Sequence, residues 1–212
     1  MADLIIFDCD GVLVDSETIS NRILMEMLND LGWRIGFEET VDRFTGLSTA
    51  MCLEIIEGRL GGPIPSDFEQ VMDEREAEAF KRDLQPVPGI KEVLDGLTLP
   101  KCVASSGTHE KMTVSLGVTG LYKFFEDRIF SATEVERAKP YPDLFLYAAE
   151  RMGVAPSRCV VIEDSVPGVQ GGIAAGMIVM GYANLTSSQA LAQAGARVFS
   201  HMRELPELIQ SL

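Results

Sequence analysis

Cysteine is scarce and scattered. Cys9, Cys52, Cys102 and Cys159 form no CxxC pair and lie far apart in the chain, which excludes a zinc site or a disulfide framework and leaves reduced thiols suited to core filling in a cytoplasmic protein. Basic residues are also few. The 18 Lys and Arg face 32 Asp and Glu, a formal net charge of −14, so the long-range field repels polyanions and argues against nucleic acid as a partner. No apolar stretch approaches the ~18 residues of a membrane span, and Met1-Ala2-Asp3 enters an apolar run with no basic segment before it, so neither membrane insertion nor secretion is expected. Internal repeats and low-complexity tracts are missing too. An anionic substrate could enter such a field only where a metal ion or a placed Lys reverses the charge locally.

What remains is the balance of an ordinary globular chain, 212 residues with 46% hydrophobic and 24% charged. That length predicts one or two domains and burial of ~70% of the unfolded surface. Short apolar runs recur: Leu4–Phe7, Lys101–Ser105, Arg128–Phe130, Cys159–Ile162, Met177–Met180 and Arg197–Phe199. They show little polar alternation and are separated by helical patterns, the mark of parallel strands covered on both faces. The fold class expected is therefore α/β, with an open parallel sheet as its core.

One gap is too long for a single crossover helix. Between the first two strands, Ile19, Ile23, Leu24, Met27, Leu28 and Leu31 recur at helical spacing behind Ser16 as N-cap, and Ser66-Asp67-Phe68-Glu69 reads as a capping box for another helix. A small helical domain over residues 15–86 is expected, inserted into a core of residues 1–14 and 87–212. Gln85-Pro86-Val87-Pro88-Gly89 has the composition of the linker that closes it.

Open parallel sheets bind ligands beyond the carboxyl ends of their strands, and the strand ends here are polar. The first runs into Phe7-Asp8-Cys9-Asp10-Gly11, the second into Ser105-Ser106-Gly107 and the fourth into Glu163-Asp164-Ser165, with Lys139 in a loop before Pro140. Alternation in an extended chain lets Asp8 and Asp10 face one space while Cys9 points into the packing. Up to four carboxylates in one site require protonation or a cation, and all-oxygen ligands suit a hard ion such as Mg²⁺. The same set can transfer a phosphoryl group. Asp8 would be the nucleophile, Asp10 the acid and base, and Lys139 and Ser105 would stabilise charge on the phosphoryl oxygens. The amides of Ser106, Gly107 and Thr108, just before a helix, offer an anion nest.

Taken in order, Asp8-Cys9-Asp10-Gly11-Val12-Leu13-Val14-Asp15-Ser16-Glu17, then Ser105, then Lys139-Pro140-Tyr141-Pro142-Asp143, then Val161-Ile162-Glu163-Asp164-Ser165 resemble the four motifs of the haloacid dehalogenase superfamily along the whole chain. The chain is most like the β-phosphoglucomutase group and its sugar-phosphate phosphatase relatives. The resemblance implies a Rossmann-like core, a helical cap, an aspartyl-phosphate intermediate, and Mg²⁺ held by the Asp8 carboxylate, the Asp10 carbonyl and Asp164, with Glu163 direct or through water. It also implies that the cap closes over a small phosphorylated metabolite, with Gly46 and its neighbours, and Ser16 near the end of the first motif, as candidate substrate contacts. Ser20 stands where the mutases carry a His, and Thr49 where they carry a phosphate-binding Arg, departures that favour a phosphatase. A phosphomutase, a 2-haloacid dehalogenase and a non-catalytic module binding a phosphorylated ligand are the alternatives. Dehalogenases of the superfamily manage without Mg²⁺ and a second Asp, so Asp10 counts against that reading. The protein is expected to be a monomer or a small homo-oligomer.

Several residues have plainer readings. Asp143 at a helix start and Glu17 stabilise helix N-termini. His109 is expected exposed in the first turn of a helix, and the Arg residues of the insert largely solvated. Gly168, Gly171, Gly172 and Gly176 do not match GxGxxG and are read as close packing of a helix on the sheet.

Overall fold

The computed structural model describes residues 2–45, 47 and 49–212, and the chain forms two compact units, Met1–Asp15 with Gln85–Leu212, and Ser16–Leu84. In the first, β1 (Leu4–Phe7), β2 (Lys101–Ser105), β3 (Ile129–Ser131), β4 (Cys159–Glu163), β5 (Ile178–Tyr182) and β6 (Arg197–Phe199) make one sheet. Its order is β3-β2-β1-β4-β5-β6 and every pairing is parallel, the order of a doubly wound Rossmann-like fold. The residues of β1 and β4 are buried throughout, which is why their sequences run apolar without alternation. Three strands run further than their apolar runs. Ser131 pairs with Ser105 at the end of β3, Glu163 with Gly181 at the end of β4, and Tyr182 with Phe199 at the end of β5, because backbone pairing continues past the last aliphatic side chain.

The second unit holds α1 (Ser16–Asp30), α2 (Phe37–Phe44), α3 (Thr49–Leu60) and α4 (Phe68–Asp83). Ile23, Leu24, Met27 and Leu28 of α1 join Trp33, Ile35, Phe44, Ile56, Phe68 and Ala79 in its core. Trp33 meets Phe44 edge-on at 5.9 Å, and the guanidinium groups of Arg43 and Arg59 lie 5.8 and 5.7 Å from its ring. The capping box expected at Ser66 does not form. Asp67 takes the cap position with no side-chain cap hydrogen bond, and the turn is closed instead by the Phe68 amide on the Pro65 carbonyl. Among the described residues no helix is long and apolar enough to cross a membrane.

The units meet one residue later and two residues earlier than the sequence suggests. Asp15 donates to the Gln85 carbonyl, Val87 donates to Leu13, and Val14 bridges Pro86, so the two crossing segments are tied to the sheet unit up to those residues. Beyond them come α5 (Ile90–Gly96), α6 (His109–Val118), α7 (Asp143–Met152), α8 (Val166–Ala174), α9 (Ser188–Gln193) and α10 (Leu205–Gln210). Leu144, Phe145, Ala148 and Ala149 of α7 and Val169 of α8 pack with β1, β2 and β4 in the sheet core. The cysteines are all free, three buried and Cys52 half-buried.

Candidate active site

The chain leaves β1 toward β2 and β3 on one side, and β4, β5 and β6 lie on the other, so the carboxyl end of β1 is the switch point where such sheets open a crevice. Asp8 stands there, its amide donating to the Ile162 carbonyl at 2.9 Å. The next residues turn sharply, with the Leu13 and Val14 amides both on the Cys9 carbonyl at 2.9 and 3.1 Å. Gly11 makes the turn at φ +75°, and a side chain on it would collide with the Asp164 carboxylate. That position needs glycine for both reasons.

Asp8, Glu163 and Asp164 are all buried and offer carboxylate oxygens within 4.8 Å of one another. Lys139, after which the peptide to Pro140 is cis, reaches into the same space. Its Nζ donates to Asp8 Oδ1 at 2.7 Å, Glu163 Oε1 at 2.7 Å and the Ala104 carbonyl at 3.2 Å. Those partners occupy the three donors of an ammonium, so Lys139 acts as a point charge and a brace rather than as a further donor to a ligand. Burial disfavours its charged form, but the two carboxylates outweigh that and raise its pKa. Burial pushes the Asp8 carboxyl up to about 7, against the lowering pull of Lys139 and with the help of Glu163.

Three carboxylates against one ammonium leave an excess of two negative charges in a buried space, which matches a divalent cation and all-oxygen donors. The donors are not equivalent. Glu163 Oε2 already accepts from the Ser165 amide and hydroxyl at 2.8 and 2.9 Å while Oε1 holds Lys139, which leaves Asp8 and Asp164 as the better direct ligands.

The glycines in and just after α8 act differently from one another. Gly172 packs on the sheet, where an added Cβ would lie 2.7 Å from Val179, as the sequence suggested. Gly176 is instead a turn at φ +74° with open space beside it. Gly168 serves the acidic cluster, because a Cβ there would overlap the Glu163 carboxylate. Gly168→Ala is therefore expected to lower stability by roughly 1–3 kcal/mol, measured by chemical unfolding, and an unchanged midpoint would mean that α8 gives way freely.

At the end of β2 the hydroxyl of Ser105 accepts from the Gly107 amide at 3.1 Å. That bond takes the Gly107 amide out of the anion nest expected of Ser106, Gly107 and Thr108, since this donor is turned onto Ser105. It also fixes the Ser105 oxygen, whose own hydrogen stays available to donate. The Gly107 carbonyl is pinned in turn by Ser131 Oγ at 2.7 Å. Lys111 of α6, which the sequence did not single out, lies with its Nζ 3.4 Å from Asp10 Oδ2. His109 is exposed in the first turn of α6, as expected, and pairs with Glu134 at 2.8 Å. Asp143 opens α7 and takes Arg137 in a two-point pair, 3.0 Å on each oxygen. Ser16 opens α1 of the helical unit with a buried side chain, and Gly46 lies outside the described residues.

Known proteins are similar to this chain in sequence and fold. A family model for haloacid dehalogenase-like hydrolases matches residues 2–176. The 6-phosphogluconate phosphatase of Escherichia coli (strain K12) is 33% identical over 207 residues, 97% of this chain and 94% of its own length. A conserved haloacid dehalogenase-like protein of unknown function, ATU0790 from Agrobacterium tumefaciens str. C58, superposes with a TM-score of 0.94 at 37% identity over 100% of this chain and 99% of that one. A HAD family hydrolase from Deinococcus radiodurans R1, with bound phosphate and sodium, gives 0.87 at 31% identity over 99% and 96%.

Proposed function

The chain belongs to the haloacid dehalogenase-like hydrolases, and from that premise we propose that it is an Mg²⁺-dependent phosphatase of a sugar or sugar-acid phosphate that works through a phosphorylated Asp8. The observation that carries this reading is the Lys139 ammonium braced at 2.7 Å against both Asp8 and Glu163, beside Asp164 at the switch point of the sheet. The 6-phosphogluconate phosphatase relative supports the substrate class.

Asp8 would attack phosphorus, forming its acyl-phosphate bond as the ester P–O bond breaks, and Asp10 would give the leaving oxygen its proton. Asp10 would then take a proton from a water that attacks the same phosphorus, and inorganic phosphate would leave as Asp8 is regenerated. The Ser105 hydroxyl would donate to a phosphoryl oxygen, while Lys139 holds Asp8 on its line of attack and supplies charge. Asp8, Asp164 and the Asp10 carbonyl would hold Mg²⁺, with Glu163 acting through water. When bound, the ion supplies positive charge beside the transferring oxygens. Ser20 and Thr49, where the mutases carry His and Arg, favour hydrolysis over transfer to a second hydroxyl.

The test is phosphate release from a panel of phosphorylated sugars, sugar acids and polyols with Mg²⁺, ranked by kcat/KM. Stoichiometric phosphate from at least one sugar phosphate is expected, and isomerised sugar phosphate without release would overturn the reading. EDTA should slow release at least ~10-fold, with recovery on adding Mg²⁺. Full activity in metal-free buffer would remove the ion from the mechanism.

A further inference from the structure

The acidic cluster holds one ammonium and spends it: Lys139 is 6% exposed and committed to Asp8, Glu163 and Ala104. A substrate bearing a second negative charge away from its phosphate therefore needs another cation, in a chain whose net charge is −14. Lys111 is placed for that task. It sits in α6, directly after the Ser105 loop, with its side chain 40% exposed and its Nζ 3.4 Å from Asp10 Oδ2. Gly107 keeps the approach open. A Cβ there would lie within 4 Å of three groups at once, 3.5 Å from Ser105 Oγ, 3.6 Å from Lys111 Cδ and 3.8 Å from Asp10 Oδ2. The space bounded by the phosphate-side hydroxyl, the acid and the Lys111 stem is thus left clear by the missing side chain.

Resting on the phosphatase reading above, we propose that Lys111 is a specificity-determining residue, its ammonium pairing with a carboxylate on the organic part of the substrate, so that the preferred substrates are phosphorylated acids. The pair with Asp10 is half-exposed and weak, so the ammonium can be shared between Asp10 and a second anion. The reach also suits. A leaving oxygen hydrogen-bonded to Asp10 at ~2.7 Å, the 3.4 Å pair and an ammonium–carboxylate contact of ~2.8 Å span up to about 9 Å. A six-carbon aldonate phosphorylated at its far end fits within that span.

The matched probes are 6-phosphogluconate and glucitol 6-phosphate, which differ only in a carboxylate against a hydroxymethyl group at C1. For the wild-type protein kcat/KM is expected to favour the acid. In Lys111→Met the ratio of the two values should fall roughly 10- to 100-fold, the worth of a hydrogen bond to a charged group, mainly through KM for the acid. Lys111→Arg should keep most of the preference. The ratio does not depend on the fraction of each preparation that folds, so a poorly folding variant still reports. An unchanged ratio in Lys111→Met, or a wild-type preference for the hexitol phosphate, overturns the role of Lys111 while leaving the phosphatase reading in place. Hydrolysis of neither probe, nor of any other compound in the panel, overturns the phosphatase reading and this inference with it.

Discussion

Asp8→Asn is expected to lower phosphate release by roughly 10,000-fold or more, the scale of loss when a nucleophile is removed from a preorganised site. The substitution keeps size and shape but replaces an oxygen nucleophile with an amide that cannot take phosphorus. It should leave the fold intact. Burial already pushes the Asp8 carboxyl up to about 7, so a neutral group suits the position, and Lys139 keeps Glu163 and the Ala104 carbonyl as partners. The checks are single-turnover phosphate release and circular dichroism on the same sample. Turnover within tenfold of wild type would take the nucleophilic role away from Asp8.

Lys139→Met should be nearly as damaging to activity and far worse for stability. Removing one partner of a buried ion pair leaves uncompensated charge and costs about 3–5 kcal/mol, and here two carboxylates at 2.7 Å lose their ammonium together. The sign of the pH dependence follows from Asp8. A carboxyl whose folded pKa is raised favours the protonated native state, so its stabilising contribution is present at low pH and is lost as pH rises from about 4 through about 7. Without Lys139, which lowers that value, Asp8 shifts further up. Metal-free Lys139→Met should therefore fall furthest below wild type near about pH 8 and approach it near about pH 5. Thermal unfolding at both values measures the gap. A gap that is constant with pH would mean that the carboxylates are not what the ammonium stabilises.

The sequence made the polar strand ends legible because parallel strands covered on both faces are apolar until they emerge, and a carboxylate after Phe7 or Ile162 stands out against that run. It did not reveal Lys111, because a lysine in a helix looks like any solvated lysine until the loop before it is folded back toward Asp10. Nor could it separate Gly168 from Gly172. Both follow the fourth acidic segment in the same small-residue helix, but one opposes the Glu163 carboxylate and the other opposes Val179.

Composition and local pattern by themselves determined the α/β class, the long insertion after β1 and the residue types of the site, since these depend on periodicity and on chemistry carried by single side chains. Only the tertiary structure decided which donor serves which acceptor. Lys139 spends its three hydrogens on Asp8, Glu163 and Ala104, and Gly107 turns its amide to Ser105. Such choices depend on distances between segments separated by up to 131 positions in the chain, and those distances are set by the order in which parallel strands pair.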